Sequence, residues 1–304
     1  MKTLVVIAGP TAVGKTDLCV QLAQQLNTEV LSADSRQFYR ELNIGTAKPT
    51  EADLQGVPHH FINSHSISTL YSAGAFERDA LRTLDALFEH QNVVILTGGS
   101  GLYIKALCEG LDELPETPPE LRAKLMGQLE NEGLAVLQAQ LRALDPQYAA
   151  QNDLQNSQRV VRALEVCLLT GQPFSSFRQR QVALRPFHII QIAIERPRAE
   201  LYARIDARID VMLAQGLVEE VRGLVAYRQH NALQTVGYKE VFDYLDGLYD
   251  YEEMTRLLKR NSRRYAKRQL TWFKHQGNFN WFDASNLAGI EAFIATHTHI
   301  VVSE

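Results

Sequence analysis

Cysteine is scarce in this chain. Cys19, Cys108 and Cys167 are the only three in 304 residues, with no Cys-x-x-Cys spacing and no histidine at ligand spacing, so they read as reduced core thiols. No apolar run approaches the roughly 18 residues needed to span a bilayer. Met1-Lys2-Thr3 leads straight into a strand-like segment, so neither a membrane span nor a signal peptide is expected, and the chain reads as a cytoplasmic protein. Positive charge is not in excess: the net charge of −4 argues against a uniformly basic nucleic-acid binder, although clusters rather than totals decide binding. No internal repeat or low-complexity tract is present. The adjacent His59 and His60 would point to opposite faces of a strand, and His297 and His299 lack further ligands, so no metal is placed on histidine. What remains is an ordinary globular composition, 45% hydrophobic and 22% charged, enough for a sizeable core in one or two domains.

The most specific stretch is Gly9, Pro10, Thr11, Ala12, Val13, Gly14, Lys15 and Thr16. It follows the apolar run Leu4 to Ala8 and precedes the helical pattern Leu18, Leu22, Leu26, so the order is strand, glycine-rich loop, helix. The spacing Gly-x4-Gly-Lys-Thr is that of a P-loop: the glycines let backbone N–H groups face inward, Lys15 adds a point charge, and Thr16 is a ligand for Mg²⁺. The loop is a cradle for a diphosphate or longer. It does not say which phosphate compound is held or whether a phosphoryl group moves.

Further along, Glu29 to Ala33 reads as a short strand that delivers Asp34, Ser35, Arg36 and Gln37 to its C-terminal end, where ligands sit in open α/β sheets. The block Leu42 to Pro49 carries small and cationic residues, as a loop folding over a phosphate site would. Val93 to Leu96 is the continuous apolar run of a buried parallel strand, followed by Thr97-Gly98-Gly99-Ser100-Gly101 where a P-loop phosphate hydrolase would place a metal-holding acid. That turn is either a second anion-contact surface with Ser100 or simply a tight strand-to-helix connection. From Leu114 the prolines at 115, 118 and 119 mark an inserted helical subdomain over about residues 115–185, which includes Gln158, Arg159, Val160, Val161 and Arg162 and the basic run Arg178-Gln179-Arg180. The core then resumes over 186–304 with a strand at Phe187 to Ile194. The fold class is α/β: a P-loop kinase-like parallel sheet with flanking helices, begun in residues 1–114 and interrupted by an all-helical insertion.

The last long helix, about Tyr251 to Lys274, is cationic without relief. No acid lies between Met254 and Phe282, whereas Arg256, Lys259, Arg260, Arg263, Arg264, Lys267, Arg268 and Lys274 are all present. At about 100° per residue, Arg256, Arg260, Arg263, Lys267 and Lys274 share one face, opposite Met254, Leu258, Tyr265 and Trp272. A solvated face normally mixes signs. With Arg159, Arg162, Arg178 and Arg180 it makes a phosphate-backbone track, unless acids elsewhere in the fold neutralise it.

Six ordered motifs together resemble the tRNA dimethylallyltransferase family over essentially the whole chain: Gly9 to Thr16; Asp34 to Gln37 with Tyr39; Ile44 to Pro49; Gly98 to Tyr103; Gln158 to Glu165; and Val236 to Lys239 with Lys267 to Trp272. Ser100 stands where the family usually has Thr and keeps the hydroxyl. The resemblance implies that the P-loop holds dimethylallyl diphosphate, with Mg²⁺ at Thr16, and that Asp34, Lys15 and Ser100 are catalytic. It places Asp34, Ser35, Arg36, Gln37, Gly101, Gln158, Arg159, Val160, Val161, Arg162, Gln234, Gly237, Tyr238, Lys239, Arg263, Lys267, Arg268, Gln269, Thr271, Trp272 and Lys274 against a tRNA anticodon stem-loop. No obligate protein partner is implied. The competing expectation is a P-loop small-molecule or nucleotide kinase, with Arg159 and Arg162 in a cationic lid and ATP turned over.

Overall fold

A computed structural model of the protein describes residues 2–178 and 182–298; Arg180 and His299 lie outside them. The backbone divides into two compact units, Met1–Glu109 with Leu184–Glu304, and Gly110–Ala183.

In the first unit six parallel strands, β1 (Thr3–Ala8), β2 (Val30–Ser32), β3 (His59–His60), β4 (Val93–Gly98), β5 (His188–Glu195) and β6 (Asn280–Asp283), lie in the order β3-β2-β4-β1-β5-β6. Every residue of β1 is buried, because helices cover both faces of the sheet. Leu4, Val6 and Ala8 face a core with Phe76 and Leu84 of the Ala73–Phe88 helix and with Met254, Leu258 and Phe273 of the Tyr251–His275 helix. Val5 and Ile7 face the other way, onto Leu18, Cys19 and Leu22 of the Lys15–Leu26 helix and Leu201 and Ile205 of the Arg198–Ala214 helix. A two-sided strand needs this unbroken apolar run, and each such side chain contributes roughly 1.5–3 kcal/mol by leaving water. All three cysteines are buried and unpaired, and burial pushes the thiols of Cys19 and Cys108 up to about 12.

The strand order places the site. From β1 the chain crosses to β2 and β3 on one side, comes back to β4 between β2 and β1, and then crosses to the other side of β1 at β5, so the topological switch falls beside β1. Because the strands are parallel, the loops after β1, β2, β4 and β5 all emerge along one sheet edge.

Every regular element among the described residues of the second unit is helical: Pro119–Glu132, Leu134–Leu144, Pro146–Gln151 and Ser157–Thr170, then a 3₁₀ turn at Phe174–Phe177. Leu125, Leu137, Leu141, Tyr148, Val160, Val161 and Leu164 form its own core. Within that core the fully buried Glu165 accepts from Arg122 at 3.1 Å, Arg162 at 3.2 Å and the Thr117 hydroxyl at 3.2 Å. A buried carboxylate is stable only when its lone pairs are satisfied in this way.

Candidate active site

Gly14 sits at the N-cap of the Lys15–Leu26 helix with φ +109°, a conformation that L side chains resist, and it aims the first turn of that helix at the space above β1. The unpaired N–H groups of a helix N-terminus favour an anion there. The Lys15 ammonium donates to the Gly9 and Pro10 carbonyls at 2.9 and 2.8 Å. Burial lowers its pKa to about 8, against the raising effect of Asp34 and with the help of Arg208. Thr11, Ala12, Gly14, Lys15 and Thr16 line a cavity of about 730 Å³. Gly9, Pro10 and Val13 shape the loop from behind; Val13 is fully buried.

Asp34, Arg36 and Gln37 line the same cavity. The Asp34 carboxylate accepts from the backbone N–H groups of Arg36 at 2.9 Å and Gln37 at 3.3 Å, which orients it as in an Asx-turn and leaves its second oxygen for a ligand. Ser100 approaches from the end of β4, and its Oγ accepts from the Ser35 N–H at 2.9 Å. The Arg36 Nε is shielded from solvent and has no partner. Tyr265 completes this wall, its phenol pushed up to about 12 by burial and by Asp34. The Gln37 amide donates to the Thr46 and Ala47 carbonyls at 3.2 and 3.3 Å, so its N–H₂ serves the neighbouring loop.

The basic helix differs from its sequence reading. Acids from distant elements claim part of the face assigned to it, Arg263 pairing with Asp206 at 2.5 Å and Lys274 with Glu195 at 3.2 Å; Arg256 of the same face pairs with Glu253 one turn back at 2.6 Å, and beside the face Lys259 pairs with Asp210 at 2.6 Å. Among the described residues Arg264, Lys267 and Arg268 make no ion pair. They line an exposed groove with Thr271, Trp272 and His275. The cations of this helix left without an acid among the described residues are therefore Arg260 and Lys267 of the expected stripe, widened on one side by Arg264 and Arg268.

Several residues assigned to an interface are interior. Gln269 is 7% exposed; its Oε1 accepts from the Thr11 N–H and its Nε2 donates to the Gly99 carbonyl, both at 2.9 Å, tying the P-loop to the β4 turn. Tyr238 is fully buried, and Val160 and Val161 fall on the core face of their helix. Trp272 lies against Gly101, where a Cβ would come within 2.2 Å of the indole. Arg162 is engaged by Glu165 and by the Pro115 carbonyl at 3.2 Å. Gln158, Arg159, Gln234 and Lys239 are exposed, and Gly237 lines the cavity.

Sequence reading missed three arginines. Arg196, just after β5, donates to the Val13 carbonyl at 2.7 Å, and Arg204 to the Ala12 carbonyl at 2.9 Å. Arg208 lines the cavity one turn beyond Arg204 and has its pKa lowered, first by burial and then by Arg204. The available signal was an i, i+4 arginine pair on the first helix after a strand that ends at the ligand edge.

A parallel sheet with this loop at its topological switch, cationic side chains converging on it and an acid on the facing wall defines a P-loop protein of the phosphate-binding α/β class. The model of the IPP transferase family matches residues 37–276. The tRNA dimethylallyltransferase of Cytophaga hutchinsonii is 54% identical over 96% of both chains, and tRNA dimethylallyltransferase 1 of Bacteroides fragilis is 47% identical over 92% of this chain and 93% of its own. Among solved structures, the full-length tRNA isopentenylpyrophosphate transferase of Bacillus halodurans superimposes with a TM-score of 0.73 at 38% identity, covering 98% of this chain and 97% of its own. A eukaryotic dimethylallyltransferase acting on tRNA gives 0.81 at 27% identity, over 100% and 81%. The chain belongs to the IPP transferase family, the tRNA dimethylallyltransferases. These relatives match the transferase expectation, not the kinase.

Proposed function

We propose that this chain transfers the dimethylallyl group of dimethylallyl diphosphate to the N6 amine of the adenosine 3′-adjacent to the anticodon, position 37, in tRNAs reading codons that begin with U. The observation that carries the reading is the single cavity shared by the P-loop and Asp34, with glycines in place of a metal-holding acid after β4. The bond from the allylic carbon to the diphosphate oxygen breaks and a bond to N6 forms. The amine proton passes to Asp34, which its two backbone donors keep oriented. Lys15, the P-loop amides and Arg208 stabilise charge on the departing diphosphate, and Ser100 positions the Asp34 turn through Ser35.

Mg²⁺ fits the donor set. Among the described residues no cluster of three or more acids, histidines or cysteines exists to cage an ion, whereas Thr16, with its hydroxyl, lines the cavity, and Mg²⁺ commonly takes most of its other ligands from phosphates and water. When bound, it would neutralise charge on the diphosphate. An adenine stacked in an anticodon loop cannot reach this cavity, so the base is flipped out, with the exposed Lys267, Arg268, Gln158, Arg159 and Lys239 among the groups meeting the RNA. In this reading the helical unit, assigned to residues 115–185, grips the anticodon stem, and the reaction takes place in the cytoplasm. Among the described residues no helix is long and apolar enough to cross a membrane.

Mass spectrometry of an anticodon stem-loop incubated with the protein, Mg²⁺ and either dimethylallyl diphosphate or ATP tests the reading. One dimethylallyl unit gained on that adenine, with ATP untouched, is the expected result; ATP consumption without prenylation would overturn it.

A further inference from the structure

One carboxylate outside the reacting centre is held as a ligand would be. Glu220, in the first turn of the Leu217–Gly223 helix, accepts at Oε2 from the N–H groups of Asn43 at 3.1 Å and Ile44 at 2.8 Å. Its Oε1 accepts from the Gly45 N–H at 3.0 Å and the Tyr238 hydroxyl at 2.6 Å. Three successive backbone donors converging on one anion form a nest. The nest belongs to the loop that sequence reading expected to fold over a phosphate. In the fold those amides face an internal acid instead, and the loop presents Ile44 to Thr50 to the cavity as one wall.

The wall is fixed on its other margin by groups already described or nearby. Gln37 holds the carbonyls of Thr46 and Ala47. The Lys48 ammonium donates to the Tyr39 carbonyl and Asn63 Oδ1, both at 2.6 Å. Under it, Gly45 rests on the buried Tyr238 ring, where a Cβ would come within 2.6 Å of the aromatic carbon. Ala47 is held at φ +48°, a conformation costly to a non-glycine residue unless its surroundings over-determine it.

We infer that Glu220 is a positioning residue: its carboxylate pre-sets the Asn43–Thr50 wall, so that the wall need not be ordered when the prenyl diphosphate binds. A loop ordered beforehand removes an entropic cost from binding and leaves the chemical step untouched. The kinetic half of this inference rests on the transferase reading, whereas the structural half does not.

Backbone hydrogen exchange and steady-state kinetics on the full chain test it together. In Glu220→Ala the amides of Ile44 and Gly45 should exchange about tenfold faster or more, while amides of β1 and β4 keep their protection. The KM for dimethylallyl diphosphate should rise about tenfold with kcat within about threefold, the signature of impaired pre-organisation rather than impaired chemistry. Glu220→Gln, which keeps the shape but removes the charge, should fall between. Tyr238→Phe, which removes only one of the four donors, should leave the loop amides protected. Unchanged exchange in Glu220→Ala overturns the pin. Faster exchange with an unaltered KM, or a fall in kcat matched by a general loss of protection, overturns the positioning role. A wild-type protein that transfers no prenyl group would overturn the reaction assignment and with it the kinetic half, and the exchange result would still decide the pin.

Discussion

Replacing Gln269 by Leu keeps its volume and removes both ends of its amide. The Thr11 N–H and the Gly99 carbonyl, each 2.9 Å from that amide, are then left in a site where the side chain is 7% exposed. A buried polar group stripped of its partner costs about 1–3 kcal/mol. Two such groups give about 2–6 kcal/mol, and the lower half of that range applies because Thr11 borders the cavity, where water reaches it. At roughly 2–4 °C per kcal/mol for a domain of this size, a 3 kcal/mol loss lowers Tm by about 6–12 °C. The same change frees the P-loop from the β4 turn, so the KM for the prenyl diphosphate rises along with it. Gln269→Glu should not rescue: its carboxylate still accepts from Thr11 but faces the Gly99 carbonyl with negative charge. Differential scanning fluorimetry and donor-dependent kinetics, with tRNA affinity measured alongside, decide the matter. A Gln269→Leu protein with unaltered Tm and donor KM but weakened tRNA binding would refute the clamp and return Gln269 to the RNA interface.

Asp34→Asn should abolish prenyl transfer while leaving tRNA affinity nearly unchanged, as read by product mass spectrometry and filter binding; substantial turnover would refute the general-base role. Lys15 has a pKa lowered to about 8 from 10.5, so it is charged below that value and loses its proton as pH rises through it. Donor KM should therefore be flat below about pH 8 and climb above it, and binding at pH 9 should take up a proton, measurable by calorimetry in buffers of different ionisation enthalpy. Lys15→Arg should abolish the climb. Charge removal at Lys267 or Arg268 should flatten the salt dependence of tRNA binding by roughly 0.7–0.9 for each phosphate no longer neutralised. Arg263→Ala, whose partner Asp206 already neutralises it at 2.5 Å, should change that slope less; equal slopes for all three would mean the ion pair opens on binding.

What the chain determines by itself is local. Strand, loop and helix around Gly9 to Thr16 follow from an apolar run, two glycines and a 3.6-residue stripe. The position of Asp34 follows from its place at the end of a short strand, and the basic helix follows from its periodicity. Motif order adds the family, because six patterns in sequence constrain far more than one. Periodicity says which residues share a helix face, but it is silent on what that face meets. Arg263 and Lys259 are answered by acids 57 and 49 residues away, and only the packing of the Arg198–Ala214 helix beside the basic one brings them together. Gln269 likewise joins backbone groups 258 and 170 residues distant. Glu220 reaches a nest 175 residues earlier in the chain. These pairings depend on the strand order around β1, and it is that order which turns the expected cationic stripe into a smaller free patch and gives an apparently surface glutamine to the interior.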